Sequence, residues 1–481
     1  MIALALVLLL CGTAEATTRT EDLEQFYRTV AEAAETVEAN TMPTGTAIPE
    51  ATKTHTPTNT ATKTHTPTPT GTKPPTLTAT PSDTAAPTTA PTTVPTLPTG
   101  SGTCSSAIKV DEILIDTPGG PVRSFRIHEH DGQLMAVWAH DRGDTKTDLL
   151  RVRVSANLTH VSPLETLVTV KTKHPQWGNY QELLSAASGE NGQWALVYID
   201  NARYRFRLYE REGNSVEIPL TIALYDSGEG GDSYVEWDAR EKSWHTAFYA
   251  VCQGVHLCTY ASTIRPGLMY GPTWSFMEGD VAHQLDPAIA VSPIGRAYLA
   301  HNHPKSGGGT GGTKSRFQGA RGLGGPSYVL DSRYNHDRWG DIAWNKHFGA
   351  LWVEVNQWTT GYPWGEPGDW STRFALFDQT KYKLTPITDL ALVEQHFTGY
   401  GDRSIRIAPF LDGFIATYPW LGPTTRQAAW QFISSEGVPA PRVAFGEVAV
   451  DAFSAIGIGD NVYTAIFGFD GLRVARYLCA K

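Results

Sequence analysis

A unit of strand-like segments recurs along the C-terminal part of this 481-residue chain, from Cys104 to Lys481. Each unit begins with one strand, passes through a tight turn rich in Gly, Asp or Asn, and continues into a second, strongly apolar strand. Such segments are typical of β-strands, and the spacing of the units, about fifty to sixty-five residues, suits a four-stranded propeller blade with its loops. The second strands are predicted at Leu134–Trp138, Trp194–Tyr198, Trp244–Tyr249, Ala297–Ala300, Ala350–Val353, Phe414–Tyr418 and Tyr463–Phe467. The pattern therefore predicts an all-β fold, a seven-bladed β-propeller over residues 104–481.

The two ends of this region carry segments that complement each other. Ala107–Leu114 precedes the first unit and has no blade of its own, whereas the last unit ends at Leu472–Leu478 with only three strands. If the two segments pair in antiparallel fashion, they complete the last blade and bring Cys104 beside Cys479. We therefore expect a ring that is closed by its first and last strands and by a disulfide between these two cysteines.

The N-terminus resembles an export signal. Residues 1–10 are almost wholly apolar, and Ala14-Glu15-Ala16 offers a small-x-small cleavage site, so residues 1–16 read as a secretory signal. In the alternative interpretation, Cys11 is the lipidated first residue of a bacterial-type lipoprotein. Both alternatives predict a secreted or surface-anchored protein, and the second predicts membrane anchorage at the N-terminus.

The cysteine count fits an oxidising compartment. Removal of the signal would eliminate Cys11 and leave four of the five cysteines, which suffice for two disulfides. Cys252 and Cys258 flank Gln253-Gly254-Val255 in a predicted hairpin, so we expect them to form the second pair.

Two further segments separate the signal from the predicted propeller. Residues 17–40 contain an amphipathic helical stripe, which we expect to pack against a partner, to self-associate through residues 21–40, or to remain solvated. The stripe consists of Leu23, Phe26, Val30, Ala33 and Val37. Residues 41–103 are dominated by Thr, Pro and Ala and cannot bury enough apolar surface to order themselves, so they predict a disordered stalk.

Charge and motifs exclude some classes of partner. The formal net charge is −10, which argues against nucleic acid because phosphate binding requires a basic surface. Gly312-Thr313-Lys314-Ser315 lacks the spacing and the strand–helix context of a phosphate-binding loop, so no cofactor is predicted. His301 and His303 lie two apart on an extended segment and could share a metal, but no third ligand is evident and we predict no metal site.

The loops between second and third strands favour a glycan as the partner. Such loops gather with the blade-to-blade loops on one face of a propeller, where exposed aromatic rings suit sugar rings and nearby polar groups suit hydroxyls. In the alternative interpretation, these aromatic side chains only pack the loops against the predicted propeller and bind no ligand. The candidate ligand-binding residues are His301, His303, Trp358, Trp364, Trp370 and Trp420.

The loops between blades carry charged and aromatic residues that are suited to catalysis. Arginine can hold a sugar carboxylate in a bidentate manner, and a tyrosine beside an acid can act as nucleophile or proton carrier. The same residues would otherwise form ordinary turns and ion pairs between blades. The candidate catalytic residues are Asp286, Asp337, Arg338, Tyr400 and Arg403.

One short segment resembles a known family. Tyr270-Gly271-Pro272-Thr273-Trp274 is similar to the end of the Asp-box turn (Ser-x-Asp-x-Gly-x-Thr-Trp) of the sialidase-like propeller superfamily, although Met269 stands where that motif has Asp. The resemblance covers only the predicted propeller, residues 104–481, and implies a propeller that binds or cleaves glycans. It also implies that three arginines of that family could correspond to Arg338, Arg403 and Arg126.

Three hypotheses follow. The first is an extracellular, stalk-mounted propeller that binds a glycan or surface polymer through its loop face. The second is a sialidase-like glycoside hydrolase or a polysaccharide lyase that uses acidic, His, Tyr and Arg side chains of the same face. The third is a structural surface protein.

Overall fold

The computed structural model describes most of the region from residue 102 to residue 480. The described residues are 102–142, 145–171, 173–174, 178–179, 184–200, 203–211, 213–223, 233–252, 256–265, 269–270, 274–275, 281–293, 295–304, 314–320, 327–329, 336–355, 370–378, 384–393, 405–421, 425–447 and 452–480. The predicted signal, helix and stalk at residues 1–101 lie outside them. Within the described residues, no helix has the length and apolar character needed to cross a membrane.

The described secondary structure consists of β-strands. The strands of the first half are β1 (Ser106–Ile115), β2 (Val122–His130), β3 (Gln133–Asp141), β4 (Lys146–Ser155), β5 (Glu165–Lys171), β6 (Lys173–His174), β7 (Gly178–Asn179), β8 (Leu184–Ser188), β9 (Trp194–Asp200), β10 (Arg203–Tyr209), β11 (Ser215–Ala223), β12 (Ser233–Asp238), β13 (Ser243–Cys252), β14 (His256–Arg265), β15 (Met269–Tyr270) and β16 (Trp274–Ser275).

The strands of the second half are β17 (Val281–Ser292), β18 (Gly295–Pro304), β19 (Lys314–Ala320), β20 (Ser327–Val329), β21 (His336–Asn345), β22 (His347–Val355), β23 (Trp370–Phe377), β24 (Thr388–Val393), β25 (Arg406–Phe410), β26 (Gly413–Leu421), β27 (Arg426–Ser434), β28 (Val443–Glu447), β29 (Phe453–Ile458), β30 (Asn461–Gly468) and β31 (Gly471–Ala480). Each second strand predicted from the sequence lies within one of these strands.

The strands form six large sheets, each a blade of the propeller. The first sheet has the order β2-β3-β4-β5, the second β11-β10-β9-β8, the fourth β21-β22-β23-β24 and the fifth β25-β26-β27-β28. The closing sheet has the order β1-β31-β30-β29. The nine-stranded sheet has the path β12-β13-β14-β17-β18-β19-β20, and β15 and β16 also pair with β14. A small separate hairpin joins β6 to β7.

The predicted number of seven blades is wrong, because the described chain has six. The third and fourth predicted units belong to one sheet, since β14 pairs in parallel with β17 where Leu257 meets His283. The unit repeat reports how often a strand pattern recurs along the chain. It does not report whether two successive units pair with each other through their backbones.

The sheets are arranged in a closed ring. The innermost strands contact one another in the order β2, β8, β12, β17, β21, β25 and β29, and β29 contacts β2 again. The nine-stranded sheet supplies two of these strands, β12 and β17. Because side chains of non-adjacent inner strands can meet only near the middle of the ring, this order defines the axis of the molecule.

The predicted closure of the ring is confirmed. β1 pairs with β31 in antiparallel fashion, from Ser106 opposite Ala480 to Ile115 opposite Leu472. The disulfide between Cys104 and Cys479 lies just beyond this ladder, with the two Cα atoms 5.2 Å apart. The first and last strands of the region are therefore joined both by backbone hydrogen bonds and covalently.

The cores lie between neighbouring sheets and are filled mainly by large aromatic side chains. Strands that are packed on both faces become almost continuously apolar, and β3 illustrates this because Leu134 to Ala139 are all fully buried. The largest fully buried side chains include Trp138, Trp194, Trp352, Trp430, Tyr198, Tyr204, Tyr418 and Tyr463. Tyr463 of the closing sheet donates a hydrogen bond to the carbonyl oxygen of Ala156, just after β4 of the first sheet, 2.6 Å away and across the point of ring closure.

Candidate functional site

Several predicted site residues lie on described strands, but their side chains lie outside the described part of the chain. His301 and His303 are on β18, where His301 is opposite Leu285 and His303 is opposite His283. Asp286 is on β17 at the register shift between Leu285 and Ala288. The backbone thus places the two histidines and Asp286 at one end of the β17–β18 pair, and their roles remain predictions.

The other loop candidates are placed less fully. Asp337 and Arg338 are at the start of β21, and Trp370 is the first residue of β23, opposite Val355. Trp358, Trp364, Tyr400 and Arg403 lie outside the described residues. The Asp-box-like segment runs from β15 to β16, and both of these short strands pair with β14.

Trp420 is the predicted ligand-binding residue whose side chain the structure describes. It lies near the end of β26, is half-buried, and packs against the core between the fourth and fifth sheets. The guanidinium carbon of Arg442 lies 4.8 Å from its ring centroid, so a cation occupies one face of the indole. Any sugar that stacks on this residue must use the other face or displace Arg442.

The predicted second disulfide is not tested by the described side chains. Cys252 and Cys258 lie on the adjacent strands β13 and β14, where Cys252 is opposite His256 and Cys258 is opposite Ala250. The two cysteines are therefore diagonal neighbours rather than direct partners, and the bridge remains a prediction.

A cluster of polar side chains converges near the ring axis. It consists of Arg126 on β2, Tyr234 and Glu236 on β12, and Asp341 on β21, and we call it the axial cluster. The guanidinium carbon of Arg126 lies 5.3 Å from the ring centroid of Tyr234, although β8 separates their two strands. The hydroxyl of Tyr234 donates to the carbonyl oxygen of Gly340 on β21, 3.3 Å away, although β17 lies between.

A glycine also permits close packing between β21 and β18. The register between β21 and β22 shifts between Arg338 and Gly340. A Cβ atom at Gly340 would lie 2.3 Å from Cδ2 of Leu299, so any larger residue would force Leu299 or the strand to move. The absence of a side chain at Gly340 therefore allows β21 to pack closely against Leu299 of β18.

Glu236 has an unusual environment for a carboxyl group. It is half-buried on β12. Burial, and secondly the negative charge of Asp341, raise the pKa of Glu236 to about 8. A carboxyl group with such a pKa remains largely protonated at neutral pH and can donate a proton.

Asp341 is held by the backbone. One of its carboxylate oxygens accepts a hydrogen bond from the amide of Ile342, and the other accepts one from the amide of Ile407 on β25, both at 2.9 Å. The side chain therefore connects β21 to β25 and keeps a negative charge fixed near Glu236. Two carboxyl groups with contrasting environments are typical of acid–base sites.

The sequence points to two members of this cluster, Arg126 through the family resemblance and Asp341 as one of the charged residues between two units. Tyr234 and Glu236 lie on the inner strand β12 rather than on a loop. Tyr234-Val235-Glu236-Trp237-Asp238 does carry a signal, because it places three polar side chains on one face of a predicted strand. The sequence does not show that this face is turned toward β21.

A second cluster has the spacing of a metal site but contains a cation of its own. Asp238, Glu241 and His245 place their potential ligand atoms within 4.8 Å of one another. However, Nη1 of Arg296 lies 2.5 Å from Nδ1 and 2.9 Å from Nε2 of His245, and 3.5 Å from Glu241. Arg240 also contacts both Asp238 and Glu241. The guanidinium groups thus take the place of a metal, and the cluster is an ion-paired joint between β13 and β18.

Comparisons with known proteins give no family. No family model matches the chain, and no curated protein matches it. Among solved structures, an ulvan lyase of a new polysaccharide lyase family is 9% identical, with a TM-score of 0.49, and the match covers 75% of this chain and 97% of that one. An α-L-arabinanase of Penicillium chrysogenum is 9% identical, with a TM-score of 0.42 and coverages of 62% and 93%.

A third solved structure has a different activity. Hydrazine synthase of Kuenenia stuttgartiensis is 11% identical, with a TM-score of 0.43, and the match covers 75% of this chain and 96% of that one. Because similarity at this level is shared by proteins with unrelated chemistry, it does not indicate what this chain does.

Proposed function

We propose that the protein is an extracellular, stalk-mounted enzyme whose propeller binds an acidic glycan and hydrolyses it at the ring axis. The observation that carries this proposal is the axial cluster, in which a cation, a phenol and two carboxyl groups converge from non-adjacent strands. Export and surface anchoring rest on the N-terminal sequence and are part of the proposal. The sialidase-like resemblance is compatible with it but is not needed for it.

Glu236 is the proposed proton donor. Hydrolysis of a glycosidic bond requires an acid that protonates the leaving oxygen, and the pKa of that acid must be high enough for it to be protonated in the resting enzyme. The pKa of Glu236 is raised to about 8. The proton passes from its carboxyl group to the glycosidic oxygen as the bond breaks and the leaving sugar keeps the bonding electrons. Water then attacks the anomeric carbon and gives its proton to the Glu236 carboxylate, which restores the acid.

The other members of the cluster have supporting roles. The fixed negative charge of Asp341 stabilises the positive charge that develops on the sugar ring in the transition state. Arg126 and Tyr234 are suited to position an acidic sugar, because a guanidinium attracts its carboxylate and a phenol can hydrogen-bond its hydroxyls.

The proposal is tested by measuring release of reducing ends from a panel of acidic and neutral polysaccharides with the full chain. Glu236→Gln keeps the shape of the side chain but removes the acid, so we expect a loss of about 100-fold or more in the cleavage rate. Glu436→Gln, a change at an exposed turn, is the matched control and should retain full activity. If no polysaccharide is cleaved, or if Glu236→Gln cleaves as fast as the wild type, the proposal is wrong.

A further inference from the structure

One aromatic side chain of the closing sheet is almost fully exposed to solvent. Phe469 lies in the turn between β30 and β31 and is 97% exposed, the largest value among the exposed large apolar side chains of the described residues. An exposed Leu or Val is ordinary on a protein surface, but a phenyl ring left almost entirely in water is costly. The ring therefore presents nearly its whole surface to a ligand.

The turn that carries Phe469 is held in a fixed shape. Gly468 and Gly471 are register partners, so Phe469 and Asp470 form a two-residue hairpin loop. Gly471 has a φ of +130°, and a Cβ atom there would lie 2.4 Å from the carbonyl oxygen of Ile115 at the end of β1. The closing strand β1 therefore supports the turn directly, and only glycine fits at that position.

Polar groups and one further apolar side chain surround the ring. Asp470 forms an ion pair with Arg473, and both side chains remain nearly half exposed. Leu114 of β1 is 54% exposed, and its Cδ1 lies 3.5 Å from where a Cβ of Gly471 would be. The surroundings thus offer a flat apolar ring beside hydrogen-bonding groups that water can still reach.

The turn lies at the end of the ring where the inner strands begin. β30 runs antiparallel to the inner strand β29, so the β30–β31 turn lies at the end where β29 starts. Each inner strand contacts the next around the ring, and loops between second and third strands meet the blade-to-blade loops at one end of a propeller. Phe469 therefore lies at the same end of the ring as the loops that join one blade to the next.

We infer that Phe469, with Asp470 and Arg473, is a secondary subsite that stacks one sugar ring of a long polysaccharide chain whose other part occupies the axis. This inference rests on the proposed function and specifies its substrate as a polymer rather than a short oligosaccharide. The exposed area favours a sugar over a protein. One phenyl side chain offers roughly 200 Å², whereas a stable protein interface needs about 800 Å² on each partner.

Affinity electrophoresis of the full chain through gels that contain polygalacturonate or dextran tests the subsite. We expect the acidic polygalacturonate, but not the neutral dextran, to retard the wild type, and Phe469→Ala to bind polygalacturonate about fivefold to tenfold more weakly. Val438→Ala removes another exposed apolar side chain, 63% exposed, from the turn between β27 and β28, and should bind like the wild type. Phe469→Tyr keeps a stacking ring and should also bind like the wild type.

The outcomes separate the subsite from the proposed catalysis. If Phe469→Ala binds the polymer as tightly as the wild type, or if the wild type is retarded by neither polymer, the subsite is wrong. If retardation depends on Phe469 but no polymer is cleaved, the subsite is supported and the proposed hydrolytic function is wrong. Equal weakening by Phe469→Ala and Val438→Ala would also contradict the subsite, because it would show a nonspecific surface effect.

Discussion

The closing sheet and the nine-stranded sheet both connect segments that the strand repeat leaves separate, and they do so in opposite ways. The closing sheet joins chain segments more than 350 residues apart through a long antiparallel ladder and the Cys104–Cys479 disulfide, which spans 375 residues. The nine-stranded sheet joins two successive units through a parallel pair at Leu257 and His283. Near the opposite ends of these strands, the two units are joined by the hydrogen bond that Arg296 donates to the neutral imidazole of His245.

The difference shows which connection is sensitive to acid and which is sensitive to reduction. A ladder with a disulfide constrains the unfolded chain and does not depend on protonation above acidic pH. A joint made of a buried histidine, two arginines and two carboxylates depends on the charge of every member. The nine-stranded sheet should therefore be the part of the ring that fails first in acid, and the closing sheet the part that fails first on reduction.

The largest expected effect is acid destabilisation through His245. Burial, and then the charges of Arg296, Arg240 and Arg265, lower the pKa of His245 to about 2. The unfolded chain binds a proton at His245 more readily than the folded protein does. The contribution of His245 to the free energy of unfolding is therefore fully present above pH 6.5 and is lost as the pH falls toward 2. The full loss is up to about 6 kcal/mol, and about 3 kcal/mol is lost by pH 4.

Urea unfolding at pH 7 and pH 4 measures this loss. Ser243, Thr263, Asp238 and Glu241 also contact the imidazole, so His245→Gln is chosen because it can still hydrogen-bond but cannot titrate. The free energy of unfolding of this variant should fall less between the two pH values than that of the wild type. Burial also lowers the pKa of His128 in the first sheet, to about 3, and this contribution is common to both proteins. Exposed His160→Gln is the control, and an equal fall in the wild type and His245→Gln would disprove the role of the joint.

A somewhat smaller effect is expected from opening the closing sheet. Replacing Cys104 and Cys479 together by serine removes a cross-link over 375 residues and should cost up to about 5 kcal/mol. Thermal unfolding of the double variant should match that of the reduced wild type, and its pH dependence should equal that of the oxidised protein. An unchanged melting temperature would show that the ladder between β1 and β31 alone closes the ring.

The strands could be predicted from the sequence because each depends on a short local pattern. Ring closure could be predicted because two cysteines and an unpaired segment mark the ends of the region. Strongly apolar segments mark the second strands, and the unpaired segment Ala107–Leu114 with Cys104 marks the closure. The number of sheets could not be predicted in the same way. Whether β14 pairs with β17 depends on one backbone contact between units, and no side-chain pattern near Leu257 or His283 records it.

The candidate site could be predicted only in part, for a similar reason. Loop positions rich in Trp, Arg and Asp attract attention because they are exposed in any propeller. The axial cluster instead depends on contacts across the ring, such as that of Arg126 with Tyr234, between residues more than 100 positions apart. The close packing of Leu299 against Gly340 is visible only in three dimensions. In the sequence, Gly340 looks like any other glycine of a strand.

The most direct test of the central claim is a titration of Glu236 itself. Carbon-13 NMR of side-chain carboxyl groups in the wild type and in Glu236→Gln would identify its signal by difference. We predict that Glu236 titrates near pH 8, and that Asp341→Asn lowers this midpoint because it removes the second cause of the shift. A midpoint near the ordinary glutamate value of about 4.3 would show that Glu236 is charged at neutral pH and would contradict its role as the proton donor.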